Sequence, residues 1–103
     1  MDKAYLSADI LKILGQPTRI KIIDLLRSGE RCVCDIYPAI LEEQSNTSRH
    51  LNLMVAAGIL RRRKEGSKIF YSIKHPEIFR MIDLATNIAR QEVDHRIRSL
   101  GRA

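Results

Sequence analysis

The sequence predicts a mainly α-helical domain with one small β-hairpin, in the order α-α-α-α-β-β-α. Apolar residues recur at helical spacing along several separate stretches, glycines and prolines punctuate between them, and one pair of β-rich runs flanks a short glycine turn. At 103 residues the chain amounts to a single domain, 1–103. A chain of this size buries roughly 60–70% of its unfolded surface and has no material for a second core.

Each element has its own signal. Residues 3–14 place Leu6, Ile10, Ile13 and Leu14 at three- and four-residue steps, an amphipathic helix stopped by Gly15. Pro17 opens a second helix, where a missing N–H costs nothing. Ile20, Ile22, Ile23, Leu25 and Leu26 make that helix apolar around much of its girth until Ser28-Gly29, which predicts a buried central helix. Cys32 to Leu41 reads as a short third helix with Val33, Ile36 and Ile40 on one side, kinked or shortened by Pro38. Gln44 to Ala57 forms a fourth, with Thr47, Leu51, Met54 and Val55 inward and Ser45, Asn46, Ser48, Arg49 and Asn52 outward, and Gly58 ends it. Leu60–Lys64 and Lys68–Ile73 flank Glu65-Gly66-Ser67, a hairpin signal. His75-Pro76 then opens a long helix to about Leu100, striped by Ile78, Ile82, Ala85, Ala89, Val93 and Ile97.

Charge points to a polyanion. The formal net charge is +6 and 45% of residues are hydrophobic, a globular basic chain suited to nucleic acid ahead of an anionic membrane surface. No stretch approaches the roughly 18 apolar residues of a membrane span. Met1-Asp2-Lys3-Ala4-Tyr5 lacks a signal-peptide pattern, so a cytoplasmic location with no membrane partner is the expectation. The lack of tryptophan argues against a base-stacking single-strand binder. With no Ser-His-Asp or Cys-His arrangement, no glycine-rich phosphate loop and no paired acids in a plausible cleft, the sequence argues against an enzyme.

A third and fourth helix separated by a tight turn, followed by a basic hairpin, is the order of a winged helix-turn-helix. The fourth helix would enter the major groove of double-stranded DNA. Gln44 and Asn46 are able to read adenine and Arg49 guanine, while Ser45, Thr47 and Ser48 offer hydroxyls to phosphate oxygens and His50 a phosphate or backbone contact. In the hairpin Arg61, Arg62, Arg63, Lys64 and Lys68 set five cations against Glu65, a wing suited to the backbone and minor groove. The last helix's stripe is more than one small domain covers alone, which predicts a homodimer and a palindromic site.

Cys32-Val33-Cys34 sets the only two thiols beside this unit. In a reducing compartment such a pair reads as ligands, redox sensors or packing residues rather than a structural disulfide. Thiolates select trivalent arsenic or antimony, cadmium, lead, zinc or monovalent copper. On a regular helix, residues two apart point about 200° from each other. Both sulfurs would then share one ion only if the turn distorted, which predicts a strained start to the third helix on binding.

Taken together, Leu14-Gly15-Gln16-Pro17-Thr18-Arg19, Cys32-Val33-Cys34-Asp35, Gln44-Ser45-Asn46-Thr47-Ser48-Arg49-His50-Leu51, Ala57-Gly58-Ile59-Leu60 and Lys64-Glu65-Gly66-Ser67-Lys68 before Phe70-Tyr71 give a chain that resembles the ArsR/SmtB family of metal-responsive repressors over nearly its whole length. The resemblance implies a homodimeric repressor that leaves its operator when an effector binds. It also implies a dimer interface on the first and last helices, here Leu6, Ile10, Ile78, Ile82, Ala85, Ala89 and Val93, and arsenite or antimonite as effector at Cys32 and Cys34, with cadmium, lead or zinc as alternatives. Tyr37 stands where many arsenic sensors of the family have a third cysteine, so the third ligand must come from solvent, another thiol or the partner chain. The family's Asp/His site on the last helix is not evident, since Asp83 is followed by Leu84-Ala85, Arg96 and Leu100 fall near where ligands would be needed, and Asp94 and His95 are spaced differently. A thiol-oxidation or persulfide switch on the same repressor, or a winged-helix protein adaptor, are the alternative readings.

Overall fold

The computed structural model describes residues 1–101. Helix α1 (Lys3–Leu14) starts at Asp2, whose Oδ1 accepts the Ala4 N–H at 2.9 Å. Helix α2 (Pro17–Leu25) starts at Gln16, whose Oε1 accepts the Arg19 N–H at 3.0 Å, with Pro17 in the first turn. It tightens into a 3-10 turn at Leu26–Ser28 and stops at Gly29, whose φ of 124° suits only glycine. Ile22, Ile23 and Leu26 are buried, so α2 is the central helix that its sequence predicts.

The next segment differs from expectation. Arg31–Cys32 is a short strand, β1, and helix α3 occupies only Val33–Ala39. Cys32 is therefore the extended N-cap residue of α3 rather than part of it, and its sulfur accepts the Cys34 N–H at 3.2 Å. Helix α3 closes with the Glu42 N–H on the Tyr37 carbonyl (3.1 Å) and the Leu41 N–H on that of Pro38 (3.2 Å). This bonding pattern puts Leu41 in the left-handed conformation (φ 58°) that helices usually give to glycine.

Helix α4 (Gln44–Ala56) buries Thr47, Leu51 and Met54 against α2 and α3. It ends in the same bonding pattern as α3, this time with Gly58 at the left-handed position. Strands β2 (Leu60–Glu65) and β3 (Lys68–Ile73) form the hairpin. Glu65 pairs with Lys68, and only Gly66 of the two turn residues has positive φ (61°), the pattern of a type II′ turn. The sheet is antiparallel in the order β1-β3-β2, so the hairpin has a third strand that the sequence reading did not foresee.

Helix α5 (Glu77–Gly101) returns across α2. Ile78 and Ile82 are buried in the chain's own core with Leu14, Ile22, Ile23, Leu26, Ile36, Leu51 and Tyr71. That corrects the interface predicted for these two residues. Beyond Ile82 the helix leaves the body of the domain, and every described residue is exposed, Leu84, Ile88, Val93 and Ile97 among them. Among the described residues no helix is long and apolar enough to cross a membrane. The architecture is a mostly helical winged helix-turn-helix.

Candidate DNA interface and thiol site

The α3–α4 pair forms the helix-turn-helix and β2–β3 the wing. On α4, Gln44, Ser45 and Arg49 are exposed, while Asn46, Ser48 and His50 are half-buried. Thr47 is fully buried and its hydroxyl lacks a partner, so the expected phosphate contact is corrected: the hydroxyl faces the core and is not presented on the surface of α4. The helical period that groups Thr47 with Leu51 and Met54 on the inward side is the signal that decides it.

Side chains around α4 are tied to one another. The Glu42 carboxylate accepts from Asn46 Nδ2 at 3.1 Å, and Asn46 Oδ1 accepts from Arg49 Nη2 at 2.7 Å. The His50 Nδ1 accepts from Arg19 Nε at 3.1 Å, and Arg19 also donates to the Ile13 carbonyl at 3.0 Å. Burial, then the charges of Arg19 and Arg49, push the His50 pKa below its usual value, with Glu42 opposing weakly. His50 thus braces α4 on α2 as an acceptor through Nδ1.

The cations of the wing divide by whether they have a partner. Arg61 to Lys68 are all exposed. Arg63 is engaged: it donates to Glu30 at 2.6 and 3.1 Å and to Glu65 at 2.7 Å, and its guanidinium lies 4.7 Å from the Phe70 ring centroid. These carboxylates, Glu30 first, hold Arg63 more firmly charged, and Arg63 in turn lowers the Glu30 pKa. Among the described residues, Arg61, Arg62, Lys64 and Lys68 make no ion pair, which leaves them available to phosphates.

The two cysteines meet where β1 becomes α3. Cys32 is buried and Cys34 exposed, their Cα atoms are 5.1 Å apart, and the sulfurs are joined to each other. The 200° divergence expected of a regular helix does not arise, because Cys32 is extended. The premise that both cysteines lie on a regular helix is thereby corrected: Cys32 stands outside α3, and the two sulfurs meet with α3 intact. Among the described residues no His, Cys, Asp or Glu completes a three-ligand group with them. The donor set fits a thiophilic ion to the extent of two sulfurs, one side open to solvent. On the last helix, Asp83 is occupied by Arg27 at 2.7 Å.

Glu30, Glu42 and Arg19 had escaped the sequence reading. Glu42 stands four residues before Asn46, a spacing that joins side chains around a helix start and was available as a signal. Glu30 meets Arg63 across 33 residues of chain, and Arg19 meets His50 across 31, with nothing local to announce either pair.

Comparison with known proteins agrees with this geometry. Residues 16–62 match the model of the bacterial regulatory protein family named arsR. A helix-turn-helix-type transcriptional regulator of Methanocaldococcus jannaschii is 40% identical over 87 residues, covering 81% of this chain and 98% of the relative. The arsenical resistance operon repressor of Escherichia coli is 36% identical over 102 residues, covering 94% and 86%. The solution structure of a homodimeric winged helix-turn-helix DNA-binding domain from Mycobacterium bovis superposes with a TM-score of 0.77 at 28% identity, covering 89% of this chain and 85% of that one. The chain belongs to the arsR family of bacterial regulatory proteins, DNA-binding transcriptional repressors rather than enzymes.

Proposed function

We propose that this repressor works as a homodimer that binds a palindromic operator through α4 and the wing and releases it when trivalent arsenic or antimony bonds to Cys32 and Cys34. The observation that carries the reading is the convergence of the two sulfurs at the N-terminus of α3, the first helix of the helix-turn-helix. The naming of the E. coli relative as an arsenical resistance repressor supports it. Cadmium, lead and zinc are the competing ions, all with affinity for thiolate.

The chemistry is an exchange of bonds. Each thiol displaces one hydroxyl from arsenous acid, so two As–S bonds form, two As–O bonds break and two waters leave. A third ligand comes from solvent, a small thiol or the partner chain. Coupling to DNA has a short path. Cys32 caps α3, which packs on α4, and Cys32 also pairs with Phe70 of β3, the central strand next to the wing strand β2. An effector that prefers one placement of this junction biases the affinity of both DNA-contacting parts.

For the dimer, the exposed part of α5 offers Leu84, Ala85, Ile88, Ala89, Val93 and Ile97, and α1 offers Leu6 and the half-buried Ile10. The homodimeric state of the M. bovis domain supports burying these faces between two copies. The DNA-contacting set is Gln44, Ser45, Ser48 and Arg49 of α4 with Arg62, Lys64 and Lys68 of the wing. A cytoplasmic site of action accompanies the reading.

The test is release of operator duplex on titrating reduced protein with arsenite, antimonite and cadmium. The wild type is expected to leave the duplex, and Cys32→Ser/Cys34→Ser to bind it equally well and stay. A double variant that still responds sinks the effector assignment. A second reading is favoured by the joined sulfurs: an oxidant such as peroxide takes two electrons and two protons from the thiol pair, forming the disulfide and water. Release by peroxide, reversed by a dithiol, in protein indifferent to arsenite would select it.

A further inference from the structure

We infer that Glu42, in the turn ahead of α4, is a positioning residue that sets α4 to read guanine through Arg49 and withdraws Asn46 from reading adenine. The inference rests on the reading of α4 as the DNA-contacting helix and goes beyond it to name the base.

The argument begins with the two ends of the Asn46 amide. A side-chain amide carries a donor and an acceptor, and a bidentate adenine contact needs both. Glu42 takes the donor end, at 3.1 Å. With Nδ2 held there, Oδ1 is turned outward, where it accepts from Arg49 Nη2 at 2.7 Å. The reverse amide orientation would set an NH2 group against a guanidinium, donor against donor, and an NH2 group cannot donate to Arg49 or accept from it. The carboxylate therefore decides which way Asn46 faces, and Asn46 in turn decides where Arg49 sits.

Arg49 spends one N–H on Asn46 and keeps four of the five that a guanidinium carries. Two suffice for O6 and N7 of guanine. An exposed arginine is otherwise rich in rotamers, and fixing it only on binding weakens the contact. The Glu42 chain fixes it beforehand. That a carboxylate stands on a surface that approaches phosphates is electrostatically unfavourable, so Glu42 lowers affinity for any duplex while sharpening the choice among them.

These opposed effects make the test. Pools of duplex are selected from random sequence with the wild type, Arg49→Ala, Glu42→Ala and Glu42→Gln at one salt concentration, each variant first matched to the wild type by circular dichroism. Arg49→Ala identifies the guanine position by losing it. Glu42→Ala is expected to lower the guanine preference there about three- to tenfold, the worth of ordering one side chain on binding, while raising affinity for random duplex. Glu42→Gln carries the same charge change but still offers an acceptor to Asn46, so it should raise random affinity equally and keep the guanine preference. Equal behaviour of the two Glu42 variants at that position overturns the inference, as does an adenine preference that disappears with Asn46→Ala. A wild type that selects no sequence, or an Arg49→Ala that changes none, overturns the assignment of α4 itself.

Discussion

Arg63 of the wing is ion-paired to Glu30, two residues ahead of the buried Cys32. The same arginine pairs across β2 and β3 with Phe70, and Phe70 pairs across β3 and β1 with Cys32. Directly opposed residues share a face of an antiparallel sheet. Arg63, Phe70 and Cys32 thus form one row from the wing to the thiols, with Glu30 clamping its outer end.

That clamp predicts an uneven wing. Each phosphate contact contributes about 0.9 to the slope of log affinity against log salt on duplex DNA. Arg62→Ala is expected to remove about that much, whereas Arg63→Ala removes clearly less because its charge is already shared with Glu30 and Glu65. In a Glu30→Gln background the loss on Arg63→Ala should grow towards that of Arg62→Ala. Fluorescence anisotropy of a short duplex across a salt series measures these slopes, and equal slopes for Arg62→Ala and Arg63→Ala in the parent chain would rule the clamp out.

Local signals carried most of the fold. Gly15, Pro17, Gly58 and the Gly66 turn put boundaries where the structure has them, and the alternation of α4 placed Leu51 and Met54 inside. The exceptions are places where a distant partner decides. Two residues, Arg31 and Cys32, are too few to carry a period, and they are a strand only because β3 offers an open edge. The same pairing holds Cys32 extended, which defeated a prediction about sulfur directions based on helix geometry. Ile78 and Ile82 belong to the same periodic stripe as Ala85 and Ala89. Which turn of α5 leaves the domain is set by the extent of the core beneath it, and the stripe alone contains no such information.

Thr47 is buried with a hydroxyl that finds no partner. Valine has the same branching without the polar atom, and β-branched rotamers are kept. Thr47→Val is expected to stabilise the domain by about 1 kcal/mol, since desolvation of the hydroxyl is not repaid. Urea denaturation at fixed protein concentration would show a higher midpoint with an unchanged slope. A lower midpoint would mean that the hydroxyl has a partner in solution.

The two helices of the helix-turn-helix end alike, with Leu41 and Gly58 at equivalent left-handed positions, φ 58° and 80°. Leu41 is 91% exposed, so its side chain returns almost no burial for that conformation. Leu41→Gly is expected to stabilise by about 0.5–1 kcal/mol, the left-handed penalty less the extra chain entropy of glycine. Gly58→Ala, where an added Cβ meets no atom within 4 Å, isolates the same penalty with opposite sign. Melting the two variants beside the parent chain checks both, and a loss of stability in Leu41→Gly would assign Leu41 a packing role.

The Arg19 to His50 bond makes the brace between α2 and α4 sensitive to pH. His50 accepts at Nδ1, which requires the neutral ring, and its folded pKa lies below the ordinary 6.5. Between the folded value and 6.5 the unfolded chain binds more protons than the folded one, so folding stability rises with pH across that window. It falls as the pH drops from about 6.5 and levels off below the folded pKa, where both states are protonated. Glutamine at this position keeps an acceptor without titrating there. Denaturant curves at pH 7.5 and pH 5 should therefore show a larger loss for the parent chain than for His50→Gln, the contributions of other groups being common to both. An equal loss would mean that in solution the His50 ring is neither buried nor held by Arg19, and the brace between α2 and α4 would be absent.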